Sequence, residues 1–360
     1  MNYNEIRRKT REIKIGKLAI GGNNPIAIQS MTNTDTHNRE ATLAQIKQLE
    51  AAGCDIVRIT VPDIAAADTI PYLKGMDVSI PVVADIHFDY RIALRCAELG
   101  VDKIRINPGN IGDESRVMQV CEACAKRNIP IRIGVNSGSL EKDILEKYGS
   151  PTADALCESA MRHAALLEKY GFLNTVISIK ASNPSAMIEA NRALAARCEY
   201  PLHLGVTEAG SREIGSIKSA IGIGALLCDG IGDTVRVSLT DDPVEEIGAA
   251  KKILRAIPID SVRGLDVVSC PTCGRTKIDL ISLVALFENA VKAEGLEDIP
   301  VKVAIMGCIV NGPGEAREAD FGIAGGKGEA VFFRRGEIIK KIPEDCIVST
   351  LINEVKSFKK

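Results

Sequence analysis

Three cysteines near the C-terminus carry the clearest chemical signal in this sequence. Cys270 and Cys273 form a Cys-Pro-Thr-Cys pair, and Cys308 opens the segment Cys-Ile-Val-Asn-Gly-Pro-Gly-Glu, which ends at Glu315. Thiolates are the ligands that zinc and iron–sulfur clusters prefer. A structural zinc site is normally closed by four Cys or His ligands, so three cysteines with a carboxylate nearby indicate an incomplete ligand shell. Such a shell leaves a position where a substrate can bind the metal.

Zinc is the generic alternative for a Cys-x-x-Cys pair, and spacing alone does not decide between zinc and an iron–sulfur cluster. The lone third cysteine and the polar barrel mouth described below favour iron–sulfur, because a structural zinc site requires neither. A second pair, Cys121 and Cys124, shares one face of a periodic helix with Val117 and Val120. That pattern indicates packing rather than metal binding.

Residues 1–260 repeat one pattern, a short β-rich run followed by an amphipathic helix. Eight such units predict an α/β fold of the TIM (β/α)8 barrel type, whereas a doubly wound sheet, the alternative, would not need eight regular units. The predicted strands are Ala27–Met31, Asp55–Val61, Pro81–His87, Lys103–Asn107, Pro130–Asn136, Thr175–Ser182, Leu202–Thr207 and Thr234–Leu239. The predicted helices are Arg39–Ala52, Ile64–Leu73, Tyr90–Leu99, Glu114–Arg127, Thr152–Lys169, Ser185–Ala196, Arg212–Leu226 and Pro243–Leu254.

The repeated strand–helix pattern ends after Pro258. Residues 261–360 predict a small α+β domain that carries the three cysteines. Its predicted strands Asp266–Ser269 and Val301–Met306 end just before Cys270 and Cys308. We therefore expect the two strand ends to bring the distant cysteines together. The remaining predicted elements are the helices Lys277–Glu294 and Cys346–Phe358 and a hairpin region over Phe321–Ala324 and Val331–Ile342.

The predicted carboxyl ends of the barrel strands, where TIM-barrel chemistry takes place, carry more cations than carboxylates. Only Asp85 and Glu208 are obvious partners, and unpaired charges inside a barrel are costly. Salt bridges at the mouth account for one or two of the cations. A phosphate or diphosphate ligand accounts for the whole set, because arginine matches phosphate bidentately and lysine binds it as a point charge. The cations are Arg58, Arg105, Arg132, Lys180 and Arg236, with Asn107, Ser238 and His87 as further polar groups.

Composition excludes several classes of function. The formal net charge of −2 gives no overall attraction to nucleic acid or anionic membranes, and no apolar run reaches the length of a membrane span. The N-terminus lacks the apolar core of a secretory signal, so we expect a cytoplasmic protein. Single cysteines in apolar patterns are then expected to be core residues rather than disulfide partners, namely Cys54, Cys96, Cys157, Cys198, Cys228 and Cys346.

The cysteine segments resemble the signature of the 4-hydroxy-3-methylbut-2-enyl diphosphate synthase family of the non-mevalonate isoprenoid pathway, in its compact bacterial form. The resemblance extends over essentially the whole chain. The segments that carry it are Val268–Thr276, Ala304–Glu315, Ile28–Asn33, Ala84–Phe88, Lys103–Asn110 and Val235–Ser238.

This resemblance implies a [4Fe–4S] cluster on Cys270, Cys273, Cys308 and Glu315, with an exchangeable iron site. It implies reductive ring opening and dehydroxylation of 2-C-methyl-D-erythritol 2,4-cyclodiphosphate, with two electrons delivered through the cluster from flavodoxin or ferredoxin. It further implies a homodimer whose active site is shared between subunits.

The resemblance also assigns roles in the barrel and near the reacting end of the substrate. Glu208 and Asn311 match polar groups beside the reacting atoms, and Glu315 joins them as an exchangeable ligand. The diphosphate-binding positions are Arg58, Arg105, Asn107, Lys180, Arg236 and Ser238.

Two other functions remain open on the residues alone. A zinc-stabilised barrel could transfer a group to a phosphorylated or pterin-like substrate without redox chemistry. Alternatively, the C-terminal domain could be an electron carrier fused to a ligand-binding barrel.

Overall fold

A computed structural model describes residues 3–257, 264–309, 314 and 316–358 of the chain. Residue contacts divide the chain into two compact units, Met1–Val262 and Arg263–Lys360. We call them the barrel unit and the C-terminal unit. Within the described residues, none of the helices is both long and apolar enough to span a bilayer.

The barrel unit is built around a ring of eight strands, and all neighbouring pairs are parallel. A bridge between Ile177 and Leu202 closes the ring. The predicted TIM (β/α)8 barrel is thereby confirmed. The strands of the ring are β3 (Ala27–Met31), β4 (Ile56–Thr60), β5 (Val82–Asp85), β6 (Lys103–Ile106), β7 (Ile131–Asn136), β8 (Thr175–Lys180), β9 (His203–Leu204) and β10 (Thr234–Val235).

Helices follow the strands and pack on the outside of the ring. Side-chain oxygens cap several of them, as Asp113 does by accepting the backbone N–H of Arg116. The helices of this unit are α1 (Tyr3–Ile6), α2 (Arg39–Ala51), α3 (Ile64–Ala67), α4 (Thr69–Gly75), α5 (Tyr90–Glu98), α6 (Glu114–Ala125), α7 (Lys142–Tyr148), α8 (Ala153–Lys169), α9 (Pro184–Ala195), α10 (Arg212–Cys228) and α11 (Pro243–Arg255).

Two details of the predicted elements are wrong. The helix expected over Ile64–Leu73 is divided into α3 and α4, because Pro71 has no N–H to donate to the carbonyl of Ala67. The last two barrel strands are also shorter than expected, with two residues each. At Leu239, where the second of these strands was expected to end, the backbone N–H donates to Glu246 Oε1 at 3.2 Å instead of joining a neighbouring strand.

An N-terminal hairpin that the sequence analysis did not identify closes the amino-terminal end of the ring. It consists of β1 (Ile13–Ile15) and β2 (Leu18–Ile20), paired antiparallel. Its isoleucines are buried against residues from four barrel strands. We call this group the barrel floor; it comprises Ile13, Ile15, Ile20, Ala27, Ile56, Val83 and Val176.

The C-terminal unit contains a five-stranded mixed sheet, in agreement with the predicted α+β architecture. β11 to β13 run parallel, and β14 and β15 continue the sheet antiparallel. Phe287, Phe321 and Phe332 lie in its core. The elements are β11 (Asp266–Ser269), α12 (Leu280–Ala293), β12 (Lys302–Met306), β13 (Phe321–Gly325), β14 (Glu329–Arg334), β15 (Glu337–Pro343) and α13 (Ile347–Ser357).

The single cysteines are only partly as expected. Cys54, Cys96 and Cys157 are buried, whereas Cys198 is half-buried and Cys228 and Cys346 are exposed. The prediction was wrong for Cys228 and Cys346, which lie at the end of α10 and just before α13, where the apolar faces of these helices end.

Candidate active site

Asp85 is the central carboxylate of the barrel mouth. It ends β5, is 2% exposed, and accepts a hydrogen bond from Arg105 Nη1 at 3.2 Å. Arg58 Nε and His87 Nε2 each lie 3.8 Å from its Oδ2. Burial alone would raise the pKa of Asp85, but the charges of Arg58 and Arg105 outweigh it and hold that pKa below its ordinary value. Asp85 is therefore an ionised hub for cations from neighbouring strands.

Glu246 supplies a second carboxylate, which the sequence analysis missed. It projects from α11, and its carboxylate accepts hydrogen bonds from Arg236 Nε and Nη2, both at 3.3 Å. The hydroxyl of Ser30 donates to it at 2.8 Å. Its signal was present in the sequence, because Glu246 falls at helical spacing among the apolar residues that bury α11 against the ring. A carboxylate on such a stripe indicates a buried cationic partner.

Glu208 does not take the pairing role expected of it. Glu208 is exposed, and within the described part of the chain it forms no ion pair with the mouth cations. Its backbone has a φ of +52°, in the left-handed region that is unfavourable for a long side chain. Strained backbones of this kind occur preferentially at functional sites.

The mouth has more positive than negative charge. Five cations, on β4, β6, β7, β8 and directly after β10, face the two carboxylates Asp85 and Glu246. Burial lowers the pKa of Arg58 to about 10, although the charge of Asp85 opposes the shift. Burial and the charges of Arg236 and Arg58 hold the pKa of Lys180 well below its ordinary value. A bound anion at the mouth would stabilise the charged forms of these cations and so raise their pKa values again.

Two glycines make room for these cations. A Cβ on Gly134 would lie 2.4 Å from Arg105 Nε. A Cβ on Gly205 would lie 2.5 Å from the carbonyl oxygen of Arg236 and 3.1 Å from Lys180 Nζ. Any larger residue would displace the cations, so both positions shape the mouth.

The other predicted mouth residues have mixed surroundings. Asn107 is buried; it donates through Nδ2 to Ser139 Oγ at 3.2 Å and accepts the N–H of Gly109 at 3.1 Å, so its amide joins two loops. Ser238 is half-buried. Arg132 lies deeper, where Nη1 donates to Gln29 Oε1 at 3.4 Å.

In the C-terminal unit, two of the three predicted thiol ligands follow adjacent parallel strands. β11 and β12 pair with Ser269 opposite Ile305, so Cys270 and Cys308 both follow the carboxyl ends of these strands. The N–H of Gly307 donates to Cys270 Sγ at 3.2 Å, which joins the two segments directly. The sequence-based expectation that strand ends bring these cysteines together agrees with this contact.

The thiols are suited to holding a soft metal, although they do not complete a site by themselves. Cys270, Cys273 and Cys308 are free thiols; Cys273 is exposed and the other two are half-buried. Cys121 is buried instead, and burial raises its pKa to about 12. Among the described residues, no three Cys, His, Asp or Glu side chains are arranged to hold a metal ion. The other two predicted site residues, Asn311 and Glu315, lie outside the described residues.

Comparison with known protein families finds a match for each of the two units. The family model of the GcpE TIM-barrel domain matches residues 10–251, and that of the GcpE C-terminal domain matches residues 266–357. A solved dihydropteroate synthase from Yersinia pestis aligns with a TM-score of 0.47 and 13% identity, over 68% of this chain and 98% of that one. A likeness this weak carries no conclusion about the substrate.

Relatives that span the full length are much more similar. A Fusobacterium nucleatum protein is 56% identical over 351 residues, which cover 98% of this chain and 97% of the relative. A Caldanaerobacter subterraneus protein is 56% identical over 356 residues, 99% of each. Both are named 4-hydroxy-3-methylbut-2-en-1-yl diphosphate synthase (flavodoxin). With both domains matched in order and relatives aligned almost end to end, the chain belongs to the GcpE family.

Proposed function

We propose that this protein reduces 2-C-methyl-D-erythritol 2,4-cyclodiphosphate to 4-hydroxy-3-methylbut-2-enyl diphosphate, opening the ring and removing a hydroxyl group, with reduced flavodoxin as the electron donor. The observation that carries the proposal is the excess of buried cations at the mouth of a barrel whose relatives are named for this product. The expected alternative donor, ferredoxin, does not occur in the names of these relatives.

The barrel binds the diphosphate. Arg58 and Arg105 already converge on Asp85, and Arg236 is held by Glu246, so these guanidinium groups are oriented before the ligand arrives. Pre-oriented charged donors bind phosphoryl oxygens with little loss of side-chain entropy. The proposed set is Arg58, Arg105, Asn107, Lys180, Arg236 and Ser238, with Arg132 and His87 at its margin.

We assign the reducing centre to the C-terminal unit, with Cys270, Cys273, Cys308 and Glu315 as the residues that hold a [4Fe–4S] cluster. The contact between Gly307 and Cys270 supports the thiol part of this set, and Glu315 rests on the family resemblance. When bound, the cluster would supply electrons one at a time. Glu208 is proposed to supply the proton that loss of the hydroxyl group requires, and Asn311 to hydrogen-bond beside the leaving hydroxyl.

Anaerobic purification with metal analysis tests the assignment of the cluster. We expect a brown protein with about four irons per chain and with turnover of the cyclic diphosphate when reduced flavodoxin is supplied. Cys270→Ala should lose iron and turnover together, whereas Cys228→Ala, an exposed cysteine of the barrel unit, should keep both. A colourless protein that holds one zinc ion would contradict the proposal.

We also propose a homodimer whose active site is shared between subunits, a proposal that rests on the family resemblance. Light scattering measures the oligomeric state. Mixing Arg236→Ala with Cys270→Ala tests the sharing, because each variant has one intact half of the site. Partial recovery of turnover on mixing two inactive variants supports it, and no recovery from a proven mixed dimer contradicts it.

A further inference from the structure

In the C-terminal unit, three loops share one edge of the sheet. They follow β11, β12 and β13, which run parallel, so all three loops lie at the carboxyl ends of these strands. We call this surface the cysteine edge; it consists of residues 270–279, 307–309 and 326–328. The first loop carries Cys270 and Cys273, and the second carries Cys308.

Direct contacts join the three loops into one surface. The N–H of Gly307 donates to Cys270 Sγ at 3.2 Å, and the N–H of Lys277 donates to the carbonyl oxygen of Gly307 at 2.9 Å. The third loop packs on the second, because a Cβ on Gly326 would lie 3.1 Å from Ile309 Cδ1. Side chains that are exposed on any of the three loops therefore lie near the thiols.

The cysteine edge is positively charged. Arg275, Lys277 and Lys327 are exposed, and none of them has an ion pair within the described ranges of the chain. These three cations stand against one carboxylate in the three loops, whereas the whole chain has a formal net charge of −2. The positive charge is therefore a local property of this edge.

The carboxylates closest in sequence to these cations are already engaged elsewhere. Asp279 accepts the N–H of Ser282 at 3.2 Å and the hydroxyl of Ser282 at 2.7 Å, which caps α12. Glu329, just after the third loop, pairs with Lys341 of β15. Neither carboxylate is shown to neutralise the cations of the cysteine edge.

An exposed apolar surface adjoins the charged loops. α12 begins directly after the first loop, where Ile281 is 71% exposed and Leu286 is 56% exposed. Ala285, which is also exposed, lies four residues from Ile281 and so on the same face of the helix. Ile309 adds an exposed apolar side chain on the second loop. Exposed apolar side chains that are grouped and bordered by charge are typical of interaction sites.

This combination has the make-up of a protein interface. Interfaces usually have an apolar centre and a polar rim, and a charged rim accelerates the encounter with a partner of opposite charge. Under the proposed function, electrons reach the C-terminal unit from another protein, which must approach the thiols. Cys273 is exposed at the cysteine edge, so a partner can approach it there.

We propose that the cysteine edge and the start of α12 form the docking surface for flavodoxin, which binds through an acidic face. Ile281 and Ala285 supply the apolar contact, and Arg275, Lys277 and Lys327 supply the positive rim. This inference rests on the proposed function and names the surface that its electron donor uses. A donor must leave after each delivery, so the interface is expected to be small and sensitive to salt.

Calorimetric titration of the iron-loaded enzyme with flavodoxin, under anaerobic conditions, tests the surface directly. Lys327→Glu should raise the Kd about 10-fold, because it reverses a charge of the rim, and wild-type binding should weaken as salt is added. Ile281→Ser should weaken binding without removing any charge. Lys292→Glu, at an exposed lysine in the last turn of α12, is the control and should keep the wild-type Kd. A wild-type Kd in both Lys327→Glu and Ile281→Ser overturns the inference.

Kinetics with two electron donors separates this inference from the proposed function. Lys327→Glu should raise the KM for flavodoxin, whereas turnover driven by reduced methyl viologen, a small cationic donor, should suffer less. Wild-type enzyme that turns over with neither donor would overturn the proposed function and this inference with it. A raised KM for the cyclic diphosphate with an unchanged KM for flavodoxin would place the cations at the substrate and overturn the docking surface alone. If Lys327→Glu loses iron, Ile281→Ser decides.

Discussion

Arg58 directs two guanidinium nitrogens at the sulfur of Met31, with Nε at 3.0 Å and Nη2 at 2.8 Å from Sδ. Arg236 Nη1 donates to the same sulfur at 3.6 Å. A thioether is a weak acceptor, so two arginines of the mouth face a poor partner. Phosphoryl oxygens are much stronger acceptors for guanidinium groups. The arrangement is therefore the one expected of a site organised for an anionic ligand.

Arg58→Gln should raise the KM for the cyclic diphosphate by about 10- to 100-fold. The reason is the loss of a charge-assisted hydrogen bond, which is worth about 1.5–3 kcal/mol. Steady-state kinetics under anaerobic conditions measures the effect, and metal analysis should find the iron content unchanged.

Arg192→Gln is the matched control for this substitution, because Arg192 is an exposed arginine of α9 that pairs with Asp229 on the outside of the barrel. It should leave KM unchanged. If Arg58→Gln also left KM unchanged, Arg58 would not belong to the binding site.

Gly134→Ala should disturb the mouth without changing any charge. The new Cβ would lie 2.4 Å from Arg105 Nε, so the guanidinium must move away from Asp85. Overpacking of this kind costs about 1–3 kcal/mol. We expect a lower melting temperature together with a higher KM, measured by thermal unfolding and by kinetics.

Gly138→Ala is the control for crowding, because no atom lies within 4 Å of its added Cβ and it follows the same strand. It should leave both quantities close to those of the wild type. Equal effects of the two substitutions would mean that crowding against Arg105 is not the cause.

The cations of the mouth could be predicted because period-two alternation places every second residue of a strand on the same side. Asp85, Arg105 and Arg132 indeed occupy neighbouring register positions on β5, β6 and β7. Glu246 was overlooked, since it comes from a helix rather than from a strand end. Its pairing with Arg236 depends on tertiary packing, which alternation along the strands does not encode.

The limits of the fold prediction have similar physical causes. The length of β10 was overestimated, because a polar side chain takes a backbone hydrogen bond that would extend it: Glu246 accepts the N–H of Leu239. The strands of the floor hairpin have only three residues each, too few for a clear periodic signal. Eight longer repeats carried enough signal to identify the barrel.

Glu141 should make the barrel unit sensitive to acid. Its carboxylate lies 3.0 Å from His163 Nε2 and accepts the hydroxyl of Ser159 at 2.7 Å. Burial would raise the pKa of Glu141, but these contacts lower it from 4.5 to about 2. Because the folded-state pKa is below the unfolded-state value, the stabilisation is fully present above pH 4.5 and is lost as the pH falls towards about 2.

Glu141→Gln should therefore lower the free energy of unfolding at neutral pH and flatten its decline between pH 4.5 and about 2. Urea titrations of metal-free protein at a series of pH values measure this without interference from acid loss of a cluster. Glu189→Gln, at an exposed glutamate of α9, is the control and should keep the wild-type slope. A wild-type slope in Glu141→Gln would show that these contacts do not stabilise the ionised form.

Glu208 offers a test that separates function from stability. Its φ of +52° costs a non-glycine residue about 1–2 kcal/mol, part of which glycine recovers. Glu208→Gly should therefore raise the melting temperature and abolish turnover, whereas Glu208→Gln should reduce kcat with little change in melting temperature. Arg335→Gly is the matched control, since Arg335 has a φ of +47° in the turn between β14 and β15. It should gain stability and keep turnover; retained turnover in both Glu208 variants would instead remove Glu208 from the proton-transfer role.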